Sequence, residues 1–164
     1  MFKHILVPLD GSGFAEAAIP YALEMAAQFD SDITLLRVVL PPRVGEGALS
    51  PESANFVIRM RDDLYKEAID YLQSQKGSLR QQNYRVHYQV AESEDVAAEI
   101  ISATKGADAD TIVMCTHGRG GLGRFLFGSV AMRVLQSATV PVLLIRPDGR
   151  RQGDNPVTTQ PKEV

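Results

Sequence analysis

Apolar positions along this chain switch repeatedly between two patterns: short runs apolar throughout, and longer stretches where they recur every three or four residues. His4–Pro8 (HILVP) is a short apolar run bounded by Asp10-Gly11-Ser12, which predicts a strand and then a turn. From 13 to 29 the Ala, Ile, Leu and Met residues fall at helical spacing, with Ser12 placed to cap. Pro20 stands inside that stretch and is expected to bend the helix by removing one backbone bond. Residues 33–39 (ITLLRVV) predict a second buried strand, and 40–47 (LPPRVGEG) a loop. Ser50-Pro51-Glu52 then reads as a helix start: a cap, a proline in the first turn, and an acid near the positive dipole end. Phe56, Met60, Leu64, Ala68 and Leu72 follow at every fourth residue and predict one apolar stripe along a long helix. Residues 84–91 (YRVHYQVA) alternate well enough for a partly exposed third strand, and Ser93-Glu94-Asp95 opens a helix running to about Thr104. Thr111–Cys115 (TIVMC) and 141–146 (PVLLIR, Pro141 to Arg146) are the fourth and fifth strands, with a helix at Ser129–Ser137 between them.

Strands that are apolar throughout, alternating with helices, argue for an α/β domain: a five-stranded parallel sheet covered on both faces. Right-handed crossovers make it a doubly wound open sheet. A single domain over 1–147 is expected, followed by a polar, Pro- and Gly-rich tail at 148–164 that is expected to be disordered. The chain has 164 residues and a formal net charge of −3, without the surplus of Lys and Arg that a general nucleic-acid binder needs. Cys115 is the single cysteine, which excludes an intrachain disulfide and a zinc site built on cysteines. No His/Asp/Glu cluster has metal-site spacing, and His4 and His87 read as strand residues. No apolar run is long enough to span a bilayer or to serve as a signal peptide, so a cytoplasmic location with no membrane partner is expected.

The segment with the most chemistry is 115–130, CTHGRGGLGRFLFGSV, between the fourth strand and the helix after it. In open α/β sheets ligands sit outside the carboxyl ends of strands, where strand order reverses. Glycines there let backbone amides approach an anion, and a helix beginning at Gly128-Ser129 adds free amides and a partial positive charge. Two familiar phosphate motifs fail on this segment. Gly118 to Gly123 spells G-x-G-x-x-G, but the next strand closes on Ile145-Arg146, a base and not the acid that such a site needs at the strand end. Gly123 to Ser129 approaches a P-loop, but Ser129 occupies the position that must be lysine.

What the segment does resemble is the signature of the universal stress protein family, G-x2-G-x9-G-[S/T], with Gly118, Gly128 and Ser129 in register and nine residues between the two glycines. The opening HILVPLDGS and the closing VPVLLIRP are similar to that family's first and last strands, so the resemblance runs over roughly residues 2–147. It implies strand order 3-2-1-4-5 and an adenine-nucleotide fold of the HUP-like type, binding ATP, expected with Mg²⁺. It also implies a site in which Pro8, Leu9 and Asp10 lie against the nucleoside and Val38 faces the adenine. Met114, Cys115, His117 and Gly118 would line ribose and phosphates, with Arg119 beside them; Gly128, Ser129 and Val130 would present amides and a hydroxyl. Cys115 stands where the signature has its first glycine, which puts a side chain where the family has none.

Other readings stand beside these. Asp10 serves equally as an Asx-type turn residue, Cys115 as a small buried residue at a strand end, and Arg119 and Arg124 as solvated surface charges. His117 reads better as a loop-positioning residue than as a base. Three functions follow: a nucleotide-dependent stress-response regulator acting as a homodimer, an enzyme hydrolysing ATP slowly at most, or a nucleotide-free interaction protein of the same fold. Retention of Gly118, Gly128 and Ser129 argues against the third. The apolar strand 141–146 would be a sheet edge, a liability unless paired, and the family pairs it across a two-fold axis.

Overall fold

The computed structural model describes residues 1–42, 51–116 and 128–146, in which the elements run β1 (His4–Pro8), α1 (Gly13–Glu16), α2 (Ile19–Phe29), β2 (Asp32–Val39), α3 (Pro51–Arg80), β3 (Val86–Glu92), α4 (Val96–Gly106), β4 (Thr111–Cys115), α5 (Ser129–Ser137) and β5 (Val142–Ile145). The strands form one sheet in the order β3-β2-β1-β4-β5, as expected. Every neighbouring pair is parallel. His4 faces Asp32 and Pro8 faces Leu36 across β1 and β2, while Ile5 faces Thr111 across β1 and β4. Ile33 faces Val86 in the pairing of β2 with β3, and Ile112 faces Val142 in that of β4 with β5.

Successive strand residues point to opposite faces, and the two apolar cores divide accordingly. Ile5, Val7, Ile33, Leu35, Val113 and Cys115 pack beneath α1, α2 and α3 through Ala15, Ala22, Ala26, Leu72 and Leu79. Leu6, Leu36, Ile112 and Met114 pack beneath α4 and α5 through Ala97, Ile100, Ala103, Ala131 and Val134. Each fully buried Leu or Ile contributes roughly 1.5–3 kcal/mol from area removed from water. β1 and β4 lie at the centre, buried on both sides, which is why their sequences read as unbroken apolar runs.

The sequence expectation for 13–29 needs correction. The stretch is two helices, not one bent helix: α1 ends at Glu16 and α2 begins at Ile19. Pro20 sits in the first turn of α2, where its missing N–H would have had no intrahelical acceptor anyway, so it starts a helix instead of kinking one. Ser12 does cap α1, its Oγ accepting from the amide of Ala15 at 3.2 Å.

The predicted stripe on α3 also divides. Leu72 is fully buried and Ala68 nearly so, yet Phe56 is 63% exposed and Met60 39%. A helix of thirty residues is about 45 Å long, whereas the eight residues of β2 span about 26 Å. α3 packs on β2 and β3 over its later turns, and its first turns outrun the sheet. Pro51 opens the helix as predicted, while Ser50, the expected cap, lies outside the described residues. β3 starts two residues later than expected, and β5 is one residue shorter at each end. Most of the loop 40–47 and the tail 148–164 fall outside the described residues. Among the described residues no helix is long and apolar enough to cross a membrane.

Candidate functional site at the switch point

From β1 the chain crosses to β2 and then β3 on one side of the sheet; β4 proceeds to β5 on the other. The carboxyl ends of β1 and β4 therefore open a crevice between two crossovers that leave in opposite directions. Pairing with β2 continues one residue past β1, the amide of Leu9 donating to the carbonyl of Leu36 at 2.8 Å, and this sets Asp10 at the rim. Asp10 Oδ1 accepts from the Ser12 amide at 2.9 Å and the Ser12 hydroxyl at 2.5 Å. This is an Asx turn, and it is closed by Gly11 at φ 79°, a left-handed conformation that favours glycine. Ser12 in turn caps α1, so one carboxylate oxygen organises the whole passage from strand to helix.

On the other side of the crevice the ladder also runs one residue beyond its strand, the Thr116 amide donating to the carbonyl of Ile145 at 2.8 Å. The Thr116 carbonyl accepts from the amide of Gly128 at 2.6 Å, which brings the cap of α5 against the end of β4. The first intrahelical bond of α5 runs from Met132 N–H to the Gly128 carbonyl. The amides of Ser129, Val130 and Ala131 accordingly have no acceptor within the helix, and these three residues line the crevice. A helix end of this kind favours an anion.

The crevice holds a cavity of about 640 Å³, within the range of small-molecule sites. Pro8, Leu9 and Asp10 reach it from β1 and its turn, and Val38 from β2. Met114 and Cys115 reach it from β4, and Gly128, Ser129 and Val130 from the start of α5. The structure thus brings these predicted residues to one cavity. His117, Gly118 and Arg119, also predicted, lie outside the described residues, as does Arg124.

Sequence reasoning missed several wall residues. Thr116 extends β4, and Val96 and Ile100 come from the start of α4. Leu64 and Glu67 of α3 close the cavity on the α3 side of the sheet, with Arg37 of β2. The signal for Arg37 was present: it is the one charge in an otherwise apolar strand run, ITLLRVV. Asp10, Arg37 and Glu67 are the charged side chains of the wall among the described residues.

Cys115 stands on the core side. Its thiol is buried, lies 3.7 Å from the Ala15 carbonyl and belongs to the cluster under α1 and α2. Burial first, and then the charge of Asp10, push the thiol up to about 11, so it stays protonated at neutral pH. The side chain that replaces the signature's first glycine is thus held against α1.

Comparison with known proteins gives a consistent result. The model of the universal stress protein family matches residues 1–146. Universal stress protein MJ0531 of Methanocaldococcus jannaschii is 32% identical over 147 residues, covering 89% of this chain and 83% of its own length. Universal stress protein YxiE of Bacillus subtilis is 28% identical over 151 residues, covering 89% of this chain and all of its own. Among solved structures, the hypothetical protein MJ0577 superimposes with a TM-score of 0.77 at 25% identity, covering 92% of this chain and 99% of that one. UspA from Lactobacillus plantarum, at 22% identity and a TM-score of 0.76, covers 88% of this chain and 98% of its own and shows the same fold. With that sequence match and this strand order, the chain belongs to the universal stress protein family.

Proposed function

We propose that this protein is a cytoplasmic, nucleotide-dependent regulator of the stress response, that it holds ATP with Mg²⁺ in the cavity at the ends of β1 and β4, and that it works as a homodimer through β5. The unit that does so is the single domain over 1–147. One observation carries the reading: the Asp10 turn converges on one cavity of about 640 Å³ with the end of β4 and the start of α5, both more than a hundred residues further along the chain. Its apolar wall of Val38, Met114, Val96 and Ile100 suits a base and ribose, and the amides of α5 suit phosphate oxygens. Among the described residues no group of three or more His, Cys, Asp and Glu side chains is arranged to hold a metal ion. In this reading Mg²⁺ rides on the phosphates and keeps several waters. A universal stress protein has been solved in complex with cAMP; at 16% identity its likeness to this chain is one of fold.

Thermal unfolding with and without Mg·ATP tests the proposal. A ligand at a hundred times its dissociation constant stabilises the folded state by about 2.7 kcal/mol. A rise in Tm that disappears in Gly128→Val supports nucleotide binding; no rise at millimolar Mg·ATP moves the reading to an interaction protein of the same fold. Sustained phosphate release, abolished by Asp10→Asn at undiminished binding, would make the protein an ATPase instead.

A further inference from the structure

α1 has only four residues. Forming a single turn fixes several dihedrals for one hydrogen bond, so such a helix has no stability of its own. Its position must come from side chains that tie it to larger elements. Ser12 ties its beginning to Asp10. Its end is tied elsewhere: Glu16 Oε1 accepts from the Tyr71 hydroxyl at 2.9 Å and from Gln75 Nε2 at 3.1 Å, two donors one turn apart on α3. All three side chains are half-buried.

Tyr71 has a second neighbour. The guanidinium of Arg37 lies over its ring, 5.9 Å from the centroid. Arg37 lines the cavity, as does Ala15, the residue before Glu16. So do Glu67 and Leu64, one and two turns before Tyr71 on α3. Tyr71 therefore stands where α1, β2 and α3 meet behind the cavity wall, and from α3 it touches both α1 and β2.

We infer that the Glu16–Tyr71 hydrogen bond is a clasp that positions the Asp10 turn for its ligand, with Tyr71 as a positioning residue, so that occupancy of the cavity and the placement of α3 depend on one another. The ligand half of this inference rests on the nucleotide reading above; the clasp itself rests on geometry alone. Burial, and then the bond to Glu16, hold the Tyr71 hydroxyl well above its ordinary range, so it donates at every physiological pH. Coupling is reciprocal: if the clasp helps the turn receive a nucleotide, a bound nucleotide must tighten the clasp and steady α3 by the same factor. The helix is then the route by which the bound state reaches the surface.

The test uses the full chain. Tyr71→Phe keeps the ring and its packing against Arg37 and removes one donor, so it is expected to fold. It should weaken Mg·ATP binding about three- to tenfold, the range one lost hydrogen bond gives. Glu16→Ala should weaken it comparably, and the double variant should be no weaker than the worse single one, because both break the same link. Hydrogen exchange should show saturating Mg·ATP slowing the amides of 67–75 in the parent and not in Tyr71→Phe. Parent affinity in both single variants, additive losses in the double variant, or no effect of nucleotide on 67–75 would overturn the inference. If the parent binds no nucleotide at millimolar concentration, the nucleotide reading fails, and exchange without ligand decides the clasp. Faster exchange over 13–17 in Tyr71→Phe than in the parent sustains it, and equal exchange overturns it.

Discussion

The amide of Gly128 donates to the carbonyl of Thr116 across 2.6 Å, joining the residue that caps α5 to the residue that follows β4. Gly128 itself is extended, at φ −69° and ψ 157°, so proline fits its φ while removing its N–H. Gly128→Pro should therefore isolate the loss of this bond, costing about 1 kcal/mol and lowering Tm by about 2–4 °C. It should also abolish the Mg·ATP shift, because the α5 amides lose their anchor beside β4. Calorimetry with and without nucleotide reads both effects; an unchanged Tm would show that the bond contributes nothing.

Asp10 has a visible structural task, the Asx turn, and a proposed task toward the ligand. Substitution separates them. Asp10→Asn keeps an Oδ1 to accept from Ser12 and removes the charge, so stability should stay within about 0.5 kcal/mol of the parent while nucleotide affinity changes. Ser12→Ala removes the α1 cap and should cost about 1 kcal/mol. Denaturant midpoints and ATP titrations distinguish the two. An Asn variant as destabilised as Ser12→Ala, with parent affinity, would leave Asp10 a turn residue only.

The alternation of buried runs and helical spacings was enough to read five parallel strands, because β1 and β4 are buried on both faces, β2 is so over most of its length, and such runs are too short for helices. The site was legible where backbone chemistry makes it, at Asp10-Gly11-Ser12 and Gly128-Ser129, since turns and caps have a short vocabulary. What stayed hidden depends on distance. Glu67 and Leu64 reach the cavity because a thirty-residue helix passes over β2, and Glu16 meets Tyr71 across 55 residues. Pro20 was misread because periodicity runs on through the break at Ala17 and Ala18.

The two halves of α3 should respond differently to truncation. Leu72 is fully buried in the core under α2 and α3, so Leu72→Ala should cost about 2–5 kcal/mol. Phe56 and Met60 belong to the same stripe in sequence but are exposed, and Phe56→Ala or Met60→Ala should shift stability by no more than about 0.5 kcal/mol. Urea melts decide this. A loss above about 2 kcal/mol at Phe56 would mean that a partner covers that face in solution.

Acid should weaken the fold in two steps. Burial holds the His4 imidazole below its ordinary value near 6.5, helped by His87 and opposed by Asp32, Asp110 and Asp108; its Nε2 lies 2.7 Å from Thr34 Oγ1. The folded state thus prefers neutral His4. That preference is fully felt above pH 6.5 and is lost as pH falls from there toward the folded value, because the unfolded chain takes the proton first. Asp32, held low by Arg85, and Asp110, held low against the cost of burial by the amides of Lys3 and His4, add a second loss as pH falls below about 3.8. His4→Gln should flatten the first step and leave the second. Urea midpoints between pH 7.5 and 3 check it, and an unaltered upper step would acquit His4.

The sheet has two outer strands, and they differ in a way that predicts which one pairs. β3 carries Glu92, with Arg85 just before it, and charged side chains blunt an edge against further strands. β5 reads VLLI, pairs with β4 alone among the described residues, and leaves Leu143 38% exposed. A second copy related by a two-fold axis would cover that edge with its own β5, since an isologous contact sets like against like. Leu143→Lys introduces two like charges at such a contact and should convert the proposed dimer to monomer by sedimentation, and also remove any dependence of Tm on protein concentration. A parent that sediments as a monomer at tens of micromolar, or a lysine variant that stays dimeric, would move the interface away from β5.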